Sequence, residues 1–194
     1  MLSHSDQNGF SLAELVITLA VGTIIVITLY GFFSTSINNY FALQQDAVRF
    51  NALTSETQRI GRVIRGATDV LSASQNDLVV YAYFSPRDSV VSKIHYYVSD
   101  GKLLADVTPM SSSPPVGVPL TAQTSTHTII EKLHTTADIF AYLDSAGNVL
   151  PSLTNLRDIK GIRISLGIPP SRGAISKQTT LSLAVSLRNR KTNL

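Results

Sequence analysis

The sequence predicts an α+β protein: a long N-terminal α-helix, apolar in its first half and amphipathic in its second, packed on an antiparallel β-sheet head. Three observations carry this. From Phe10 to Phe33 the chain holds a single side chain that is charged at neutral pH, Glu14. Beyond Phe33, apolar residues go on recurring at helical spacing, with no proline before Pro86 to stop them. From Leu71 the period falls to two, that of strands with one buried face.

The first element is the run 10–33. A helix of that length rises about 36 Å, enough for a hydrocarbon core of about 30 Å. A signal peptide is the competing reading, but its apolar region spans only about 7–15 residues and follows a basic stretch. This run is longer, no Ala-x-Ala-like cleavage site follows it, and no Lys or Arg occurs before Arg49. It is a membrane-spanning segment. A carboxylate at the bilayer centre costs roughly 2.5–3.5 kcal/mol and needs a partner. Taken alone, Glu14 fits equally a residue at headgroup level and a functional intramembrane acid.

The stretch Gly9-Phe10-Ser11-Leu12-Ala13-Glu14-Leu15-Val16 resembles the type IV prepilin processing motif of type IV pilins and type II secretion pseudopilins. The resemblance implies cleavage by a prepilin peptidase between Gly9 and Phe10, N-methylation of Phe10, and pairing of Glu14 with a positive N-terminal amine inside a filament. A new ammonium is a suitable partner for a buried carboxylate, because burial strengthens their attraction. The leader 1–9 departs from the family in lacking Lys and Arg. Loop charge therefore does not set the orientation, and the resemblance places the leader in the cytoplasm and the bulk outside the inner membrane.

The second element is the amphipathic continuation, 34–67. Ile37, Phe41, Val48, Leu53, Ile60, Val63, Ile64 and Ala67 mark one face, with Gln44, Gln45, Asp46, Arg49 and Glu56 between them. The helix is expected from about Phe10 to Gly66, with Gly22, Gly31 and Gly61 as points of bending or loosening. A long helix half in lipid and half on a globular head is also the pilin architecture. The segment Arg59-Ile60-Gly61-Arg62-Val63-Ile64-Arg65-Gly66-Ala67-Thr68-Asp69 is similar to the end of the long helix in J-type pseudopilins and W-type minor pilins, where an Arg-rich segment leads into the first strand. For their chemistry, Arg59, Arg62 and Arg65 read more simply as a solvated face.

The head, 68–194, begins with a strand at 78–84. In the next strand Val90, Ile94, Tyr96 and Val98 share one face, and Val91, Lys93, His95 and Tyr97 the other. Ser99-Asp100-Gly101-Lys102 supplies a hairpin turn, and 103–107 returns, completing a meander. The Ser/Pro-rich stretch 109–119 is an irregular loop. Strands follow at 128–133 and 138–143, with a turn at Ser145-Ala146-Gly147-Asn148. Alternation at Ile162, Ile164 and Leu166, and at Leu181, Leu183, Val185 and Leu187, predicts two closing strands joined through Pro169, Pro170 and Gly173. The ending Leu187-Arg188-Asn189-Arg190 is similar to the last strand of many prepilin-like proteins.

Composition narrows the chemistry. With no cysteine there is no disulfide, thiol nucleophile or Cys-ligated zinc. The net charge is +3, and every Lys and Arg lies from Arg49 onward, so the head is moderately cationic. No nucleophile elbow, P-loop or zinc-protease motif is present. His127 and His134 match no metal-ligand spacing, and Asp144 to Asn148 lacks the regularity of a calcium loop. Tyr81, Tyr83, Tyr96 and Tyr97 with Lys93 form a candidate stacking surface for single-stranded nucleic acid, though strand aromatics usually pack. Arg188, Arg190 and Lys191 read as a solvated tail, with DNA contact the lesser reading.

The expectation is a non-enzymatic minor pilin or pseudopilin without cofactor or metal. Its expected partners are the prepilin peptidase, other pilins or pseudopilins, and the inner membrane. The alternative is a membrane-anchored or pilus-borne binding module for DNA or another anionic ligand.

Overall fold

A computed structural model of the chain describes residues 11–133, 138–168 and 179–188. Among these, one helix, α1, spans Leu12–Arg65. Eight strands follow: β1 Asp69–Ala73, β2 Asp77–Ala82, β3 Ser92–Ser99, β4 Lys102–Pro109, β5 Ser125–Ile130, β6 Phe140–Leu143, β7 Gly161–Ile168 and β8 Thr179–Ser186. This is the expected α+β architecture of a long N-terminal helix and an antiparallel β head. The chain divides into two compact units between Gln45 and Asp46, and α1 runs through that boundary without a break.

In the first unit, α1 is apolar and uncovered. Its most apolar 18-residue window has a mean hydropathy of 2.4 with none of it buried, so the helix is long and apolar enough to cross a membrane. The threonine hydroxyls of this apolar stretch are satisfied by the helix's own backbone. Thr18 donates to the Glu14 carbonyl, Thr23 to Leu19, Thr28 to Ile24 and Thr35 to Gly31, each at 2.9 Å or less.

In the second unit, α1 buries Leu53, Thr57, Ile60, Gly61, Val63 and Ile64. Thr57 can be buried because its hydroxyl donates to the Leu53 carbonyl at 2.7 Å. Gly66 then closes the helix, its N–H bonding to the carbonyls of Arg62 and Val63.

The head holds two antiparallel sheets rather than one, of order β1-β2-β3-β4-β5 and β6-β7-β8. In β3 and β4, Ile94, Tyr96, Leu103, Ala105 and Val107 point into the core, while Lys93, His95, Tyr97, Leu104 and Asp106 face outward. The β3–β4 turn is of the expected Asp-Gly kind, with φ of 51° at Asp100 and 68° at Gly101, the left-handed values a tight hairpin needs. One buried cluster takes side chains from α1 and both sheets. The sheets are joined by Phe140 N–H to the Gln75 carbonyl at 2.9 Å, and by the Tyr142 hydroxyl donating to the carbonyls of Ser74 and Asp77.

Three expectations change. β1 precedes the first expected strand, and β5 starts at Ser125 rather than Thr128. Pro109 ends a strand instead of opening a loop, and the Ser/Pro stretch is pinched shut by the Met110–Pro119 bridge. The connection through Pro169, Pro170 and Gly173 lies outside the described residues.

Candidate assembly site at the helix N-terminus

Ser11 and Glu14 form a capping box at the start of α1. The Ser11 N–H and hydroxyl both donate to Glu14 Oε2 at 3.0 Å, and the Glu14 N–H donates back to Ser11 Oγ at 3.3 Å. Two otherwise orphaned amides at the helix start are thus satisfied reciprocally. The spacing S-x-x-E was present in the sequence to announce this, yet reading Glu14 only as an intramembrane acid passed over Ser11. Both Ser11 donors converge on one oxygen, so the carboxylate is anchored by its own turn at the head of an exposed apolar helix. Gly9 and Phe10 lie outside the described residues.

The remaining candidates are distributed over the head. Arg62 and Arg65 are exposed, as expected of a solvated face. Arg59 is more engaged: it pairs with Glu56 at 3.6 Å and its guanidinium lies 4.8 Å from the centre of the Phe84 ring. His127 packs on the Phe84 ring, with centroids 4.9 Å apart, and hydrogen-bonds to the Ser125 hydroxyl. His134, Arg190 and Lys191 lie outside the described residues, and Arg188 is exposed.

The tyrosines do not form one surface. Tyr96 is 1% exposed and belongs to the core face of β3, whereas Tyr81, Tyr83 and Tyr97 lie on or beside the outer face. Period two dictates this: Tyr96 and Tyr97 are neighbours in sequence and therefore opposite in the sheet. On the outer face, carboxylates interleave with Lys93. Asp77 meets His95 at 2.5 Å, and Asp106 accepts from Tyr97 and Thr126. The Asp144 turn is a self-contained cap, its Oδ1 accepting from the N–H groups of Ala146 and Asn148 at 2.8 and 2.9 Å.

A long N-terminal helix followed by antiparallel sheets is a pilin-like α+β architecture. Residues 4–30 match the family described as the prokaryotic N-terminal methylation motif. The N-terminus is therefore a type IV prepilin-like signal, and it indicates a pilin-like protein that undergoes processing. The signal and the uncovered apolar helix together fit a membrane-anchored pilin. No curated protein matches the chain.

Proposed function

We propose that the chain is a minor pilin or pseudopilin. Prepilin peptidase cuts it between Gly9 and Phe10 and methylates Phe10. The mature subunit, anchored by 10–33 with 34–67 continuing the helix and 68–194 outside the inner membrane, then joins a type IV pilus-like or type II secretion filament, at its tip or as an initiator of assembly. Its role is structural. One observation carries this reading: a methylation motif opens an apolar helix that its own chain leaves uncovered. That helix is stored in lipid and then packs against other pilin helices as the filament grows. Glu14 pairs with the Phe10 amine of a neighbour, and the pairing favours the correct axial register, because a slipped subunit leaves a carboxylate buried without its counter-charge.

Intact-mass spectrometry of the protein from its native membrane or filament fraction tests this. A chain that begins at Phe10 with one added methyl group is expected. A chain that still begins at Met1, in cells with an active prepilin peptidase, would overturn it.

A further inference from the structure

β5 is the last strand of the five-stranded sheet, so one of its edges pairs with β4 and the other faces no strand. Among the described residues, no backbone hydrogen bond joins that outer edge to another element. Natural sheets blunt such an edge with lysine or proline. Ser125–Ile130 holds neither, and Ser125 to Thr128 are all exposed. The strand ends in a bulge: Leu104 pairs with Thr128 and Leu103 with Ile130, which leaves Ile129 as the extra residue. The break in alternation lets Ile129 and Ile130 both be buried. Between this end of β5 and α1 lies a groove of about 390 Å³, lined by Ala52 and Leu53 from the helix and by Ile129 and Ile130 from the strand. Further along the same two elements, the Phe84 ring bridges Arg59 of α1 at 4.8 Å and His127 of β5 at 4.9 Å, and the groove stops short of that stack.

The rim carries the charge. Its two acids are occupied, Glu131 by Lys102 at 3.2 Å and Glu56 by Arg59 at 3.6 Å. Its two cations, Arg49 and Lys132, have no ion-pair partner among the described residues. Together these features select a ligand. The strand edge offers N–H and carbonyl groups to an extended chain, the groove takes a bulky apolar side chain, and the two cations take a carboxylate. Side chains two apart on a strand share a face, so the apolar residue and the acid stand at i and i+2. A fatty-acid anion would supply the tail and the charge but leave the strand edge unpaired. The chain's own stretches 169–178 and 189–194 carry Arg172, Lys177, Arg190 and Lys191 and no Asp or Glu, the wrong sign for this rim. We propose that the β5 edge and its groove are a docking site for an extended acidic and apolar segment of another polypeptide, which joins the sheet as a sixth strand. Every residue invoked lies within the second compact unit, and the site stands whether or not the chain assembles into a filament.

The test uses the full chain in phosphatidylcholine nanodiscs, titrated by fluorescence anisotropy with the labelled peptide Ser-Thr-Val-Thr-Leu-Thr-Glu-Thr-Ser, blocked at both ends. Its valine, leucine and glutamate share one face. The peptide is expected to bind, and about tenfold more weakly when its glutamate is replaced by lysine. About tenfold weaker binding is also expected in the double variant Arg49→Gln, Lys132→Gln, as the loss of two exposed ion pairs implies. Both side chains are exposed, so the variant keeps the fold. An added strand turns alternate N–H groups toward its neighbour. Methylating the peptide nitrogens of the two threonines that flank the leucine, or instead those of the leucine and glutamate, should therefore abolish binding in one form and spare it in the other. Absence of binding overturns the proposal, as does equal binding of the glutamate and lysine peptides or equal behaviour of the two methylated forms. Sodium laurate is the competing class: laurate binding that the double variant weakens, without peptide binding, would assign the groove to a fatty-acid anion and overturn the strand-addition reading.

Discussion

Leu183 closes over Gly61: a Cβ added at 61 would lie 2.7 Å from Leu183 Cδ2 and 3.2 Å from Val185 Cγ2. Glycine is thus required here for close approach of α1 to β8. Gly61→Ala gains about 1 kcal/mol of helix propensity but overpacks the site, at a cost of about 1–3 kcal/mol. Leu183 can swing its terminal methyl, whereas Val185, β-branched and 1% exposed, cannot. Denaturation of the full chain in micelles should show a net loss of about 1 kcal/mol. In a Leu183→Ala background the same change should lose most of its cost, a coupling that only direct contact produces. Equal effects in both backgrounds would show that Leu183 is not the obstacle.

Tyr142 joins the two sheets with one hydroxyl, donating to Ser74 at 2.7 Å and to Asp77 at 3.2 Å. Tyr142→Phe keeps the ring and leaves two carbonyls without this donor, which should cost about 1–2 kcal/mol. Burial pushes the phenols of Tyr142 and Tyr96 well above the ordinary range. Their neutral forms are thus favoured in the folded state, and stability should fall as pH rises past the unfolded value of about 10. Tyr142→Phe should flatten part of that decline. An identical alkaline profile in variant and parent would refute the assignment.

Asp144 is held below the usual carboxylate range, chiefly by the N–H of Asn148 and further by Ala146. Its contribution to the turn is complete above the unfolded value, about 3.9, and disappears as pH falls through the lower folded value. The amide resonances of Ala146 and Asn148 should therefore titrate together, with a midpoint below that of a free aspartate. In Asp144→Asn the side-chain carbonyl still accepts and the turn persists, but the titration vanishes. A midpoint at the ordinary value would mean that the cap does not form.

The long helix was legible because its signals are redundant: an apolar run, an uninterrupted helical period and no proline until Pro86. The β2–β3–β4 meander was legible because alternation is clear from Lys93 to Val107 and Asp100-Gly101 names its own turn, although Val90 and Val91 precede β3 and Val91, expected on the outer face, is buried. β1 escaped notice because its register shifts between Val70 and Ser72, which breaks the period of two within five residues. β5 was misplaced because its first four residues, Ser125 to Thr128, are all exposed and polar, so nothing apolar marks its start. The division into two sheets rests on long-range bonds such as Ser165 N–H to the Ile139 carbonyl, which local patterning does not encode. At the candidate site, Glu14 stood out by its charge in an apolar run. Ser11 did not, because a serine before a helix is ordinary until its third neighbour is read with it.

Ser11 and Glu14 allow capping and charge to be separated, since one carboxylate serves both in the proposed subunit. Ser11→Ala removes the cap, worth about 0.5–2 kcal/mol of local helix stability, and keeps the negative charge. Glu14→Gln keeps an acceptor for the Ser11 N–H and removes the charge. Glu14→Ala removes both. All three should insert in the membrane normally, because the apolar run is unchanged. If an amine on a neighbouring subunit pairs with Glu14, Ser11→Ala should enter filaments nearly as the parent does, while Glu14→Gln and Glu14→Ala should both accumulate in the membrane. If capping alone matters, Glu14→Gln should assemble and Ser11→Ala should fail. Quantitative immunoblots of sheared filament and membrane fractions distinguish these patterns, and normal incorporation of Glu14→Ala would sink the register mechanism.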